Sequence, residues 1–241
     1  MFLALPLVGL VQRAPWAAVG HQLASHEVRQ ALRLSLVTSL AATALAVVLG
    51  VPLAWVLARV SFRGRALVRA LALLPIVLPP VVGGVALLLA FGRRGLLGGW
   101  LAALGVRLPF TTAGAVVAET FVAMPFVVLA TEAGLRSLDP RYEEAAATLG
   151  ARPWSVFRRV TLPLLAPSLG AGAALCWARA LGEFGATITF AGNLPGRTQT
   201  MPLAVYVALE SQPDGAIALS LLLVAVSVVV LVLLRRRLFP A

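Results

Sequence analysis

The feature that most limits what this chain can fold into is a series of apolar runs, at 32–57, 66–91, 112–134, 164–190 and 216–234. Each reaches about the 20 residues that a helix needs to cross the hydrocarbon of a bilayer. A segment that leaves water must satisfy every backbone polar group internally, so runs of this length are read as helices. Hydrophobic residues make up 60% of the 241 positions and charged residues 12%, which excludes a soluble domain. The expected class is an all-α polytopic membrane protein, with 1–241 forming a single membrane domain. Residues 1–11 are apolar but short. A signal peptide, a tilted half-span and a first helix with a clipped start all compete there; without a basic n-region or a small-residue cleavage site, a short first helix is preferred. That gives about six transmembrane helices.

Every basic residue is arginine and the net charge is +11. The charge falls between spans, so the positive-inside rule accounts for it and no nucleic-acid partner is implied. Arg59, Arg63, Arg65, Arg69, Arg136, Arg141, Arg152, Arg158, Arg159 and 235–237 then lie on the cytoplasmic side. Arg13, Arg29, Arg33, Arg93, Arg94, Arg107 and Arg197 lie outside. Without lysine the chain has no P-loop, so it is not expected to hydrolyse ATP by itself, and Schiff-base chemistry is excluded. Cys176 is alone and sits within a span, and His21 and His26 lie in a polar connector at 19–30. No catalytic, metal or cofactor site is therefore expected.

Pro75, Pro79, Pro80, Gly83 and Gly84 crowd the second long run, which should be broken or strongly bent. A pore-lining break and a packed proline kink are both compatible with this pattern. Pro52 is expected to kink the first run, and 92–111 is expected to form an outer interfacial hairpin.

Residues 139–163 form the one polar and basic insert between apolar runs, placed between spans 4 and 5. Asp139 suits a helix N-cap and Pro140 the first helical position. Tyr142, Ala146 and Leu149 fall on one face with Ala145 beside them, and Glu143 and Glu144 occupy the first turns. Gly150 suits a C-terminal stop. Pro153 opens a second short helix in which Trp154 and Phe157 share a face, and Leu162 and Pro163 end it at the membrane.

The spacing of Glu144, Ala145, Ala146, Gly150, Val160, Leu162 and Pro163 resembles the EAA loop of ABC importer membrane subunits, with Val160 where that family often has Ile. The resemblance implies a coupling helix that docks into a cleft of a separate ATP-binding subunit. An interfacial helix lying on anionic lipid is the plainer alternative, but lipid-inserted faces carry bulky apolar residues rather than alanine.

Arg179 and Glu183 lie four apart within a span and can pair; a structural ion pair and a cavity facing an anionic substrate both fit, and Glu119 poses the same choice. The stretch 178–206, with GEFGAT, AGNLPGRT and PLAVY, resembles the oxyanion branch of these importers, most closely the molybdate/tungstate permeases. Asn193, Gly196, Arg197 and Thr198 fall in its external loop, either a rigid turn or a contact for a binding protein or an anion. The resemblance implies a homodimer with two ATP-binding cassette subunits and an extracytoplasmic oxyanion-binding protein, in the plasma (inner) membrane of a prokaryote, working by alternating access. Sulfate permeases share part of the pattern. A stand-alone channel or secondary transporter and a membrane-embedded hydrolase are the rivals from other classes, the last without a nucleophile and base in view.

Overall fold

The computed structural model describes residues 2 and 4–238, with side chains omitted at 18, 21, 23, 230, 231 and 233–238. The expectations for Met1, the ring of His21 and the arginines at 235–237 fall outside the described atoms. All regular structure in the described residues is helical.

The chain opens with α1 (Leu5–Gln12) and α2 (Trp16–Leu23), followed by α3 (His26–Arg59). The polar connector expected at 19–30 is therefore mostly helical. Ser25 accepts a hydrogen bond from the Val28 N–H and Glu27 sits in the first turn, so polar residues that suggested a loop instead start a helix. At about 1.5 Å per residue α3 is about 51 Å long, more than a bilayer's hydrocarbon, so it is long enough to project beyond the apolar layer. Pro52 is accommodated inside it.

The second run divides into α4 (Arg65–Val77) and α5 (Pro80–Phe91), with the break at Leu78 and Pro79, both extended. Pro80 supplies no N–H and has φ set for a first helical position, so α5 restarts there. In the connector at 92–111 α6 (Gly98–Ala103) is a single short helix, and α7 (Thr112–Ser137) follows, its N-terminus capped by the Thr111 hydroxyl, which accepts from the Gly114 N–H.

The insert folds as α8 (Arg141–Thr148) and α9 (Pro153–Val156), after which a π-helical turn (Phe157–Thr161) runs without interruption into α10 (Leu162–Leu181). The expected end at Leu162 and Pro163 is thus overturned. Proline in a regular helix clashes with the carbonyl four residues back; here Leu162 N–H bonds five back to Phe157, and the wider π turn absorbs the misfit. The single span expected at 164–190 also divides, because the helix stops at Gly182 and resumes as α11 (Gly185–Phe190). The chain closes with α12 (Met201–Ser211) and α13 (Pro213–Leu238). Among the described residues three continuous helices are long and apolar enough to cross a membrane: His26–Arg59, Thr112–Ser137 and Pro153–Leu181. Pro80–Phe91, Met201–Ser211 and Pro213–Val229 are shorter apolar segments.

Helix α7 is the central element, packed against α3 and α10 on its flanks and against α4, α5 and α11. The contact between α3, α7 and α10 is built from small residues: Ala42, Ala46, Ala123, Cys176 and Ala180 are buried together with Val127. Gly50 brings α3 within side-chain contact of Val127 and Met124. Bulky Val37, Leu40, Val48 and Leu49 on the same helix face outward. Lipid is as apolar as leucine, so close backbone packing rather than burial of large side chains holds such helices together.

Candidate functional site

The insert stands at one end of the bundle. Asp139 Oδ1 accepts from the Arg141 N–H at 3.0 Å, opening α8. At the other end Ala151 N–H bonds to Ala146 O at 3.1 Å and Gly150 N–H to Ala147 O at 2.9 Å, with Gly150 at φ +81°. These are the two bonds of a Schellman stop, whose left-handed residue favours glycine. No residue of α8 is buried; Tyr142, Glu144, Ala145 and Leu149 are exposed and Ala146 half-buried. Trp154 and Phe157 stack with ring centroids 5.6 Å apart. Val160 and Leu162 are half-buried and Pro163 exposed.

What fastens α8 to the bundle is Glu143. Its Oε2 lies 3.1 Å from Arg59 Nη2 at the end of α3, and its Oε1 accepts from Thr161 Oγ1 at 2.6 Å in the π turn. Of the two adjacent carboxylates, Glu143 therefore faces the protein and Glu144 faces out. Sequence reasoning noted Glu143 only as a first-turn acid; its partners are remote in sequence, and no local spacing announces them.

A second charge cluster lies on the neighbouring helices. Glu132 Oε1, almost fully buried on α7, lies 2.9 Å from Arg69 on α4 and accepts from Arg136 Nη2 at 2.8 Å and Nε at 3.2 Å. The sequence signal for Glu132 is its position four residues before Arg136, an ion-pair spacing on a helix. The Arg59–Glu143 contact also places the basic loop after α3 at the same end of the molecule as α8.

Within the bundle the polar side chains face protein. Glu119 on α7 is buried and accepts from Thr38 Oγ1 at 2.8 Å, while its Oε2 has no partner among the described residues. Arg179 and Glu183 are in contact, and Glu183 Oε1 also accepts from the Ala186 N–H at 2.8 Å, where it caps α11. Glu183 thus follows the break at Gly182 and helps to restart the helix, satisfying an N–H that the break exposes. Ser35 accepts from the Met201 N–H at 2.7 Å and Trp177 donates to Ser39 Oγ at 2.9 Å, tying α12 and α10 to α3. Ser35, Thr38 and Ser39 were not singled out from sequence; their i, i+3, i+4 spacing within an apolar run is the signal that marks them.

The loop at 191–200 is compact. Thr198 is buried and its Oγ1 accepts from the Leu194 N–H at 2.9 Å, while Arg197 offers its carbonyl to Thr112 Oγ1 at 2.8 Å and leaves its side chain exposed. Gly196 takes φ +70° beside Gln30. Asn193 is half-buried, with its Oδ1 covered and without a partner among the described residues. Of these four residues only Arg197 presents a charge.

Residues 46–241 match the family described as "Binding-protein-dependent transport system inner membrane component". The chain is 50% identical over 224 residues to a molybdenum transport system permease protein, ModB, of Mycobacterium tuberculosis, covering 93% of this chain and 85% of the relative. It is 43% identical over 171 residues to the Escherichia coli protein of the same name, covering 68% and 73%. A sulfate transport system permease protein, CysT, of Escherichia coli is 39% identical over 230 residues, covering 93% and 83%. Among solved structures, a bacterial ABC transporter that imports alginate aligns with TM-score 0.75 at 19% identity, covering 98% of this chain and 89% of that one. The MetNI methionine ABC transporter aligns at 0.65 and 20%, covering 89% and 97%. With the arrangement of helices and the sequence in agreement, the chain belongs to the binding-protein-dependent transport system inner membrane components.

Proposed function

We propose that this chain is the membrane-spanning permease subunit of an ATP-driven importer of molybdate or tungstate. It forms one membrane domain and works as a homodimer with two ATP-binding cassette subunits and an extracytoplasmic oxyanion-binding protein. The observation that carries the reading is α8: a fully unburied helix, closed by Gly150 and tied to the α3 end and the π turn through Glu143. Nucleotide-driven movement of a docked ATPase is transmitted through that tie to α3 and α10, which flank the central helix, and so shifts the balance between two arrangements of the bundle. Glu144 presents a carboxylate to the partner, Ala145 and Ala146 permit close approach, and Gly150 turns the chain. Val160, Leu162 and Pro163 carry the displacement into α10. ATP is hydrolysed by the partner. The molybdenum-transport relatives support the substrate class, and the sulfate permease relative makes sulfate the second reading.

The test is mass spectrometry of the gently solubilised protein, followed by uptake measurements. A stoichiometric P-loop subunit, with a companion binding protein that takes molybdate or tungstate in preference to sulfate, is the expected result. Gradient-driven transport with no ATPase present would overturn it.

A further inference from the structure

Between α3 and the α9–α10 segment lies an apolar groove of about 660 Å³, lined by Val47, Val51, Trp55, Trp154, Phe157 and Leu169 among others. At its Trp55 and Phe157 end it continues into a cavity of about 450 Å³ that shares Trp55, Pro153 and Phe157 with it and adds Arg59, Glu143 and Thr161. From Val47 to Val56 the helix advances about 13 Å, the length of roughly ten methylenes, at about 1.5 Å per residue. The groove is therefore apolar along most of its length and ends at the Arg59–Glu143 pair, with two tryptophans, the residues that settle at the interface of a bilayer.

Arg59 is incompletely satisfied there. It contacts Glu143 at 3.1 Å, but its Nε and Nη2 make no aligned hydrogen bond among the described residues, and its side chain keeps 23% of its surface open. A single carboxylate in ion contact leaves most of a five-donor guanidinium without acceptors. Nε and Nη2 are themselves covered, and a phosphate oxygen that entered the cavity and displaced what covers them would supply an acceptor of the kind arginine favours.

We infer that this groove is a binding site for an anionic phospholipid, one acyl chain lying between α3 and α10 and the head-group phosphate at Arg59. The direction of the polarity matches a lipid of the adjacent leaflet, head at the membrane face and chain toward the midplane. Arg152, Arg158 and Arg159 at the same end, all exposed, favour an anionic head group over a zwitterionic one. Because Arg59 is also the anchor of Glu143, head-group binding places a lipid in contact with the tie that holds α8. The site rests on the groove and its charge, whatever ion is transported.

The experiment places photoreactive p-benzoylphenylalanine at position 169, in the full chain with whatever subunits accompany it, reconstituted in vesicles of equimolar phosphatidylglycerol and phosphatidylcholine. Irradiation is expected to give phospholipid adducts on the position-169 peptide, with phosphatidylglycerol favoured about fivefold, the preference expected of one interfacial arginine. Arg59→Gln should bring the ratio most of the way to unity, Arg59→Lys should retain most of it, and Arg94→Gln, in the connector between α5 and α6 and outside the groove, should leave it unchanged. Adducts without head-group preference overturn the inference. So do adducts to a second copy of the chain, which would mean that a partner protomer fills the groove.

Discussion

At the scale of single residues, Gly150 separates backbone geometry from crowding. A Cβ there would meet nothing within 4 Å, so the demand for glycine comes wholly from φ +81°. A β-branched residue at that φ costs roughly 1–2 kcal/mol, while asparagine enters the left-handed region more readily. Gly150→Val is expected to reach the membrane but lower uptake in vesicles, with Gly150→Asn close to the parent protein; equal uptake by Val and Gly would remove the turn from the mechanism. Thr38 gives a prediction about burial. Thr38→Val strips the donor from Glu119 Oε1, whose partner oxygen already lacks one. A buried polar group left short costs about 1–3 kcal/mol, so the thermal midpoint in detergent should fall, whereas Thr38→Ser keeps the hydroxyl and should largely restore it.

At the scale of elements, the docking of α8 and the packing of α5 are each decided by one residue. Glu143→Ala removes the contact to Arg59 and the acceptor of Thr161 together. Both members of the ion pair are partly exposed, so its loss costs at most about 1 kcal/mol. Folding should survive while transmission through α8 suffers. In the reconstituted complex, ATP hydrolysis is expected to continue with substrate uptake reduced, and a variant with unaltered uptake per ATP would break the link between Glu143 and coupling. Gly84 allows α5 to lie directly on α11: a Cβ there would overlap Thr189 Oγ1 and sit 2.9 Å from the Ala186 carbonyl, a backbone atom that cannot swing aside. Gly84→Ala should destabilise by about 1–3 kcal/mol as an overpacked contact. Gly99→Ala, with nothing within 4 Å of its Cβ, is the matched control and should leave the melting temperature nearly unchanged.

At the scale of the whole molecule, the helical membrane class, the proline break before α5 and the bounds of α8 were legible in the sequence. Each follows from a local rule: long apolar runs demand internally bonded helices, Pro80 cannot donate, Asp139 can cap and Gly150 can turn left. The π turn joining α9 to α10 and the break at Gly182 were not legible. Proline can end a helix or be accommodated by a widened turn, and only packing of the flanking segments selects between them. Glu143 and Glu144 are adjacent acids with the same propensities, and sequence cannot say which turns inward. That was settled by Arg59 and Thr161, brought to the same end of the bundle by helices far apart in the chain. The sequence by itself thus determined the helical membrane class, the break before α5, the ends of α8 and the family, because those depend on neighbours along the backbone. Tertiary structure alone decided which polar groups meet and which arginine is left short of acceptors, because those contacts join residues that the sequence keeps far apart.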